Sequence, residues 1–347
     1  MKYPGDRVHL KNLSLQQLEA FVASLGGKPF RARQLAQWLY ARGARSFKEM
    51  TNLAGAFRNM LEEKAWISFL EPAEVQTSRD GTRKYRFLLH DGEGIESVLL
   101  PEKDHYTLCL STQVGCKFAC AFCASGAGGF ERNLLSSEIL GQVLFLRDRL
   151  DVRLTNFVFM GMGEPLDNYD NVVRAVRILN SPQGLSIAAR RMKVSTVGII
   201  PAMEKLQGLR LQINLSLSLH ATTEELRSRL LPVNRRYPLR EVIKAGVRYV
   251  KATGRMITVE YILIAGVNDS VADARRLASV ARTLRAKVNL IPCSPGCGPG
   301  YEPPPESKRA DFLRALEAAG IGTTLRRSKG ADIRAACGQL AGKARQS

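Results

Sequence analysis

Cys116, Cys120 and Cys123 stand at C-x3-C-x2-C spacing in Cys116-Lys117-Phe118-Ala119-Cys120-Ala121-Phe122-Cys123, with no fourth thiol to complete the set. A [4Fe-4S] cube takes four ligands, so a cube held by three thiolates keeps one iron open to a substrate or cofactor. The alternative is a structural zinc, which closes its tetrahedron with paired C-x2-C or C/H hooks. Only one C-x2-C hook is present, and no histidine follows nearby. Gly161-Met162-Gly163-Glu164-Pro165 offers a backbone that a ligand can approach closely, beside a carboxylate suited to a cationic amine. Ser195, Ser218 and His220 could hydrogen-bond other polar groups of the same ligand. Two cysteines fall outside the triplet: Cys109, shortly before it, and Cys337, in the tail segment Ala335-Ala336-Cys337-Gly338-Gln339-Leu340. Flanked by small residues, Cys337 could reach a site as a nucleophile, and a nearby cation would favour its thiolate.

These residues need a frame. From residue 106 onward six strand-like runs, 106–111, 156–160, 192–196, 213–219, 256–264 and 287–291, are each followed by a helical pattern. Repeated β-then-α units imply a parallel sheet with right-handed crossovers. Six units are too few to close an eight-fold barrel, so the fold class is α/β, a partial (β/α)6 barrel open on one side. The chemical residues fall just past the carboxyl ends of those strands, the face on which parallel α/β folds build their sites. Upstream, Ser14-x-x-Gln17 reads as a capping box opening a helix that Gly26-Gly27 stops, and Arg31 to Arg42 reads as a second helix. The expected organisation is a helical accessory domain over 1–75, a strand-rich connector over 76–105, the barrel over 106–327 and a tail over 328–347 carrying Cys337.

Composition narrows the partners. The 347 residues carry 51 Lys+Arg against 32 Asp+Glu, a net charge of +19. Such an excess suits a polyanion, because basic side chains that neutralise phosphates release condensed counterions. Small basic clusters, among them Arg83-Lys84 and Arg326-Arg327, are scattered rather than gathered in one tail. No apolar run has membrane-spanning length and the N-terminus lacks the apolar stretch of a signal peptide, so the expected place is the cytoplasm. Four of the seven cysteines lie between Cys109 and Cys123, which suits metal and redox work rather than a disulfide framework.

The run QVGC-x3-C-x2-C, with FMGMGEP, SLSLHA, VEYILIAGVND, VNLIP and the tail AACGQLAG, closely resembles the adenine-C2 RNA methyltransferases of the RlmN family, which are radical S-adenosylmethionine (SAM) enzymes. KPFRARQLAQWLY and SFKEMT resemble that family's accessory module. The resemblance implies a [4Fe-4S] cluster on Cys116, Cys120 and Cys123, two SAM molecules per turnover, and SAM contacts from Gly163, Glu164, Ser195, Ser218, Leu219, His220 and Ser294. It implies that Cys337 takes a methyl group from one SAM. Radical chemistry drawn from the second then activates that methyl for addition to the adenine, and Cys109 closes a disulfide on Cys337 to release the product. Glu96 matches the family's proton-handling carboxylate; by itself it would be an ordinary strand residue. The implied partners are 23S ribosomal RNA, with transfer RNA left open, and an electron donor such as flavodoxin or ferredoxin, for a monomeric enzyme.

The chain departs from the family at Ile291-Pro292-Cys293-Ser294-Pro295, where an Asn usually stands in place of Ser294. Serine lacks the separate carbonyl and amino groups of an amide. Cys293 and Cys297 have no role that the resemblance supplies. Two other readings stay open at this level: a Cfr-like carbon-8 methyltransferase with the same motifs, and a zinc-stabilised RNA-binding protein without catalysis.

Overall fold

The computed structural model describes residues 5–149, 154–294, 297–298 and 300–342. Residues 1–4 of the expected accessory domain, 343–347 of the expected tail, and Pro295 therefore lie outside the described residues. All six barrel strands form, as Tyr106–Cys109, Leu154–Phe159, Met192–Thr196, Asn214–Ser218, Thr258–Leu263 and Lys287–Pro292, paired in parallel in chain order. A short strand, Thr323–Leu325, adds a seventh parallel position beside Lys287–Pro292.

The crossovers are amphipathic helices. Leu239–Thr253 buries Leu239, Val242, Gly246 and Tyr249, one face at helical spacing. It stops at Gly254, whose positive φ serves as a left-handed cap. Val271–Leu284 opens on a capping box between Ser270 and Asp273. Thr258–Leu263 is buried from Val259 to Leu263: Val259, Tyr261 and Leu263 share one face, and Glu260 on the other accepts from Ser216 Oγ at 2.8 Å and from the Asn289 side-chain amide.

On its other edge the sheet does not stop at Tyr106–Cys109. Gly94–Pro101, Arg83–Leu88 and Pro72–Thr77 continue it antiparallel, giving ten strands in one open sheet. The segment expected as a connector is thus an extension of the barrel sheet, because Val98 pairs with Cys109 and Leu100 with Thr107 across the junction. Those pairings join residues about ten positions apart, which helix periodicity downstream could not reveal.

The N-terminal module forms around helices Leu15–Ser24, Pro29–Ala36 and Gly55–Lys64, the last unforeseen from the sequence. Ser14 and Gln17 make the reciprocal capping bonds at 3.1 and 2.9 Å. The module docks on the barrel helix Ser136–Arg149, where Asn12 Oδ1 accepts from the Ser137 amide at 3.1 Å.

Candidate active site

The cysteine run leaves the first barrel strand and folds into a compact loop. Its turn needs a left-handed backbone at Ala119, φ 47°, and its end is the N-cap of a short helix, Ala124–Ala127. The Cys123 amide donates to the Cys120 carbonyl at 3.0 Å, and the Ala121 amide to Leu230 at 2.9 Å. Burial pushes the Cys116 thiol up to about 12 and the Cys120 thiol well above its usual value. Desolvated thiols of this kind stay protonated until a cation displaces the proton. Among the described residues no three His, Cys, Asp or Glu side chains are placed to hold a single metal ion, the geometry a zinc would need. A cube draws each thiolate to a different iron, and three thiols on one short loop, all lining one cavity, supply that donor set.

Behind the loop lies a cation the sequence did not single out. Arg227 is fully buried, with Nη1 on Asn234 Oδ1 at 2.7 Å and Nη2 on the Val197 carbonyl at 2.6 Å. Burial lowers its pKa to about 10, and the field of Cys120 opposes that shift.

A cavity of about 150 Å³ sits over the triplet, lined also by Gly163, Glu164, Ser195, Ser218 and His220. Gly163 has φ 94°, and a Cβ there would meet the Gln113 side chain at 2.5 Å, so the loop requires glycine. Glu164 is buried and accepts from the Leu166 and Val197 amides at 3.0 and 2.9 Å. Burial nevertheless raises its pKa to about 7, and a ligand ammonium would favour its charged form. Ser195 and Ser218 hydroxyls are 3.1 Å apart. His220 accepts from the Ile262 amide through Nδ1 at 3.0 Å, which puts the proton of the neutral ring on Nε2. Burial, with help from Arg227, lowers its pKa to about 3. Phe122 packs edge-on against this ring at 4.9 Å.

A second cavity, about 260 Å³, is lined by Cys109, Met160, Arg326 and Cys337. Cys109 ends the first barrel strand, and burial and then the field of Cys337 push its thiol to about 12. Cys337 lines both cavities. Cys123 of the triplet does so too, so Cys337 stands on a wall common to the cavity over the triplet and the cavity that holds Cys109.

Two elements hold Cys337 there: the short helix that ends the cysteine loop, and the antiparallel extension with its turn. The Ala124 amide donates to Gly338 at 2.7 Å and Ser125 Oγ to Leu340 at 2.6 Å. Gly338, φ 82°, passes so close to the loop that a Cβ would meet the Phe122 carbonyl at 2.8 Å. Asp80 accepts from the Gly330 amide at 2.9 Å, and Asp332 from Ser78 Oγ at 2.6 Å. Glu96, buried, accepts the Ala341 and Gly342 amides at 2.8 and 3.2 Å and pairs with Lys84 at 3.0 Å.

Three sequence-derived site residues line neither cavity. Glu96 faces the tail. Leu219 is a core side chain whose amide donates to the Glu260 carbonyl at 3.1 Å. Ser294 is buried beside Cys293 and Cys297, which are bonded to each other. Conversely, Arg326 lines the second cavity and buried Lys84 pairs with the tail-binding Glu96, although in the sequence both were only members of basic pairs.

Comparison with known proteins gives a consistent result. Residues 8–67 match the ribosomal RNA large subunit methyltransferase N-terminal domain, and residues 110–278 match the radical SAM superfamily. Proteins described as dual-specificity RNA methyltransferase RlmN are 46% identical in Geotalea uraniireducens, over 97% of this chain and 98% of that protein, and 48% identical in Geobacter sulfurreducens, over 97% and 92%. The crystal structure of a radical SAM methyltransferase from Sphaerobacter thermophilus superposes with a TM-score of 0.90 at 42% identity, covering 97% of this chain and all of that one.

Proposed function

Because the chain belongs to the RlmN family of radical SAM RNA methyltransferases, we propose that it methylates carbon 2 of an adenine in 23S ribosomal RNA, and of an adenine in transfer RNA, through a methyl group carried on Cys337. The observation that carries this reading is the position of Cys337 on the shared wall of two cavities. When bound, the cluster and SAM supply an electrophilic methyl group and radical chemistry at carbon. Cys116, Cys120 and Cys123 would hold three irons of the cube. Glu164, beside the close-approach backbone of Gly163, would take the SAM amine; Ser195, Ser218 and His220 would meet its remaining polar groups. Leu219 could contribute only main-chain groups, and Ser294 would need its loop to shift.

Cys337 accepts the methyl on one side and presents it on the other. Cys109, across the second cavity, would attack Cys337 sulfur once carbon 2 has been modified: the S–S bond forms as the bond from Cys337 sulfur to the transferred carbon breaks, and that carbon takes a proton to become the methyl group. Proton handling by Glu96 remains part of the proposal, although its carboxylate is committed to the tail amides and Lys84. It would reach the base only with the tail displaced. The proposal extends to the division into accessory module, strand extension, barrel and tail. It also includes a monomer in the cytoplasm served by an electron donor such as flavodoxin or ferredoxin. No helix among the described residues is long and apolar enough to cross a membrane.

The test is mass spectrometry of nucleosides from 23S and transfer RNA of cells with and without this chain. 2-Methyladenosine that depends on the gene supports the reading; 8-methyladenosine in its place would move the assignment to the Cfr-type reaction.

A further inference from the structure

We propose that Arg326 recognises the target base, donating a hydrogen bond to a ring nitrogen next to carbon 2 in the cavity between Cys109 and Cys337. This rests on the function proposed above and adds a residue to it. The walls of that cavity are largely apolar, with Val98, Leu100 and Met160 facing the two cysteines. Two of its charged side chains are committed to each other, since Lys329 pairs with Glu102 at 3.3 Å. Arg326 is different. Its main-chain amide is tied to Leu290 at 2.9 Å, continuing the register of the sheet edge, while its half-buried guanidinium donates no hydrogen bond among the described residues. Burial works against its charge, yet the fields of Cys337, Glu260, Cys109 and Glu102 outweigh burial and raise its pKa. A half-buried guanidinium without an acceptor, between two thiols, calls for an acceptor from the ligand.

Adenine supplies that acceptor. Carbon 2 lies between N1 and N3, both acceptors, and bond formation at carbon 2 increases electron density on those two nitrogens. A fixed cationic donor at either is worth more as the density grows than in the ground state, which is the requirement for accelerating the step. Arginine keeps its proton under all ordinary conditions, so its part is to orient the base and stabilise charge. A base enters such a pocket only after leaving its stack, and the guanidinium then selects for the edge that carries carbon 2. The neighbouring Arg327 is exposed on the rim of the same cavity with no partner among the described residues, which suits a phosphate.

The experiment uses full-length, cluster-loaded protein as wild type, Arg326→Gln, Arg326→Lys and Arg327→Gln. Each is given RNA with adenosine, 1-deazaadenosine or 3-deazaadenosine at the target position. Three quantities are read: methylation of Cys337 without RNA by peptide mass, the single-turnover rate of RNA modification at saturating RNA, and RNA affinity. The expected result is that Arg326→Gln slows the RNA step about 100-fold, the usual cost of one preorganised donor, while affinity stays within about twofold and Cys337 methylation, whose thiolate the same cation favours, falls far less than the RNA step. One of the two deaza substrates should slow the wild type comparably and add no further loss in Arg326→Gln. Arg327→Gln should weaken affinity alone.

Losses that multiply between Arg326→Gln and both deaza substrates would overturn the proposal. So would a loss of Cys337 methylation in Arg326→Gln as large as the loss of the RNA step, which would make the cation a partner of the thiol alone, or a defect confined to salt-dependent affinity, which would make it a phosphate contact. If Arg326→Gln fails to fold, Arg326→Lys and the wild-type analogue arm decide, and wild type indifferent to both deaza substrates refutes the assignment. Wild type that forms no methylated adenosine from unmodified RNA is a failure of the functional reading itself and is separately visible.

Discussion

Cys109 and Cys337 line one cavity but should fail differently when removed, because only Cys337 of the two also lines the cavity over the cysteine triplet. Cys337→Ala should give neither methylated protein nor methylated RNA. Cys109→Ala should load Cys337 and attack the base, but leave RNA covalently attached to the protein, visible as a shifted band on a denaturing gel. Free, fully methylated RNA from Cys109→Ala would make that thiol structural. Cys120→Ala removes one of three donors from a desolvated site, so reconstituted protein should lose its broad visible absorbance and nearly all bound iron and sulfide. Undiminished iron content would reject the cluster assignment.

At the level of elements, the hairpin Arg83–Leu88 with Gly94–Pro101 acts as the dock for the tail. Glu96→Gln keeps an acceptor for the Ala341 and Gly342 amides but leaves Lys84 buried without its counter-charge. Breaking a buried pair of this kind costs about 3 kcal/mol. The expected outcome is a lower melting temperature and faster tryptic cleavage in the tail, with slower methylation of Cys337. An unchanged cleavage rate would separate Glu96 from tail docking. A second element carries a pH signature. Lys11 is buried, donating to the Ser68 carbonyl at 2.9 Å, and burial lowers its pKa to about 7. Between about 7 and its ordinary value of 10.5 the unfolded chain binds more protons than the native one, so stability rises with pH across that window. His9, lowered to about 3 mainly by burial, adds the same sign between about 3 and 6.5. Melting curves should climb from pH 7 to pH 9 more steeply in wild type than in Lys11→Met; parallel curves would show that Lys11 keeps its ordinary pKa.

Over the whole molecule the net charge of +19 sets the scale of RNA binding. The excess cations are distributed over the folded surface, so affinity should come from many phosphate contacts rather than one tail. Binding of a fragment of 23S RNA should weaken by roughly 100-fold or more between about 50 and 200 mM salt. Affinity that is flat over this range would assign the charge to something other than RNA.

The sequence by itself determined whatever rests on local spacing. The C-x3-C-x2-C run, the strand-helix alternation, the Ser14–Gln17 cap and the glycines at close approach are each written within a few residues, where covalent geometry and periodicity suffice to read them. It could not decide which distant segments share a wall. That Cys337 meets Cys109 and the triplet, that Glu96 and Lys84 grip the tail, and that Arg326 enters the same cavity all depend on contacts between residues some 200 positions apart. The strands within 72–101 are a nearer case: 76–105 was expected to be strand-rich, yet only pairing of Val98 with Cys109 made the segment part of the barrel sheet. Burial decided the rest: a lysine or arginine reads as surface charge until tertiary packing removes it from water and gives it one partner, or none.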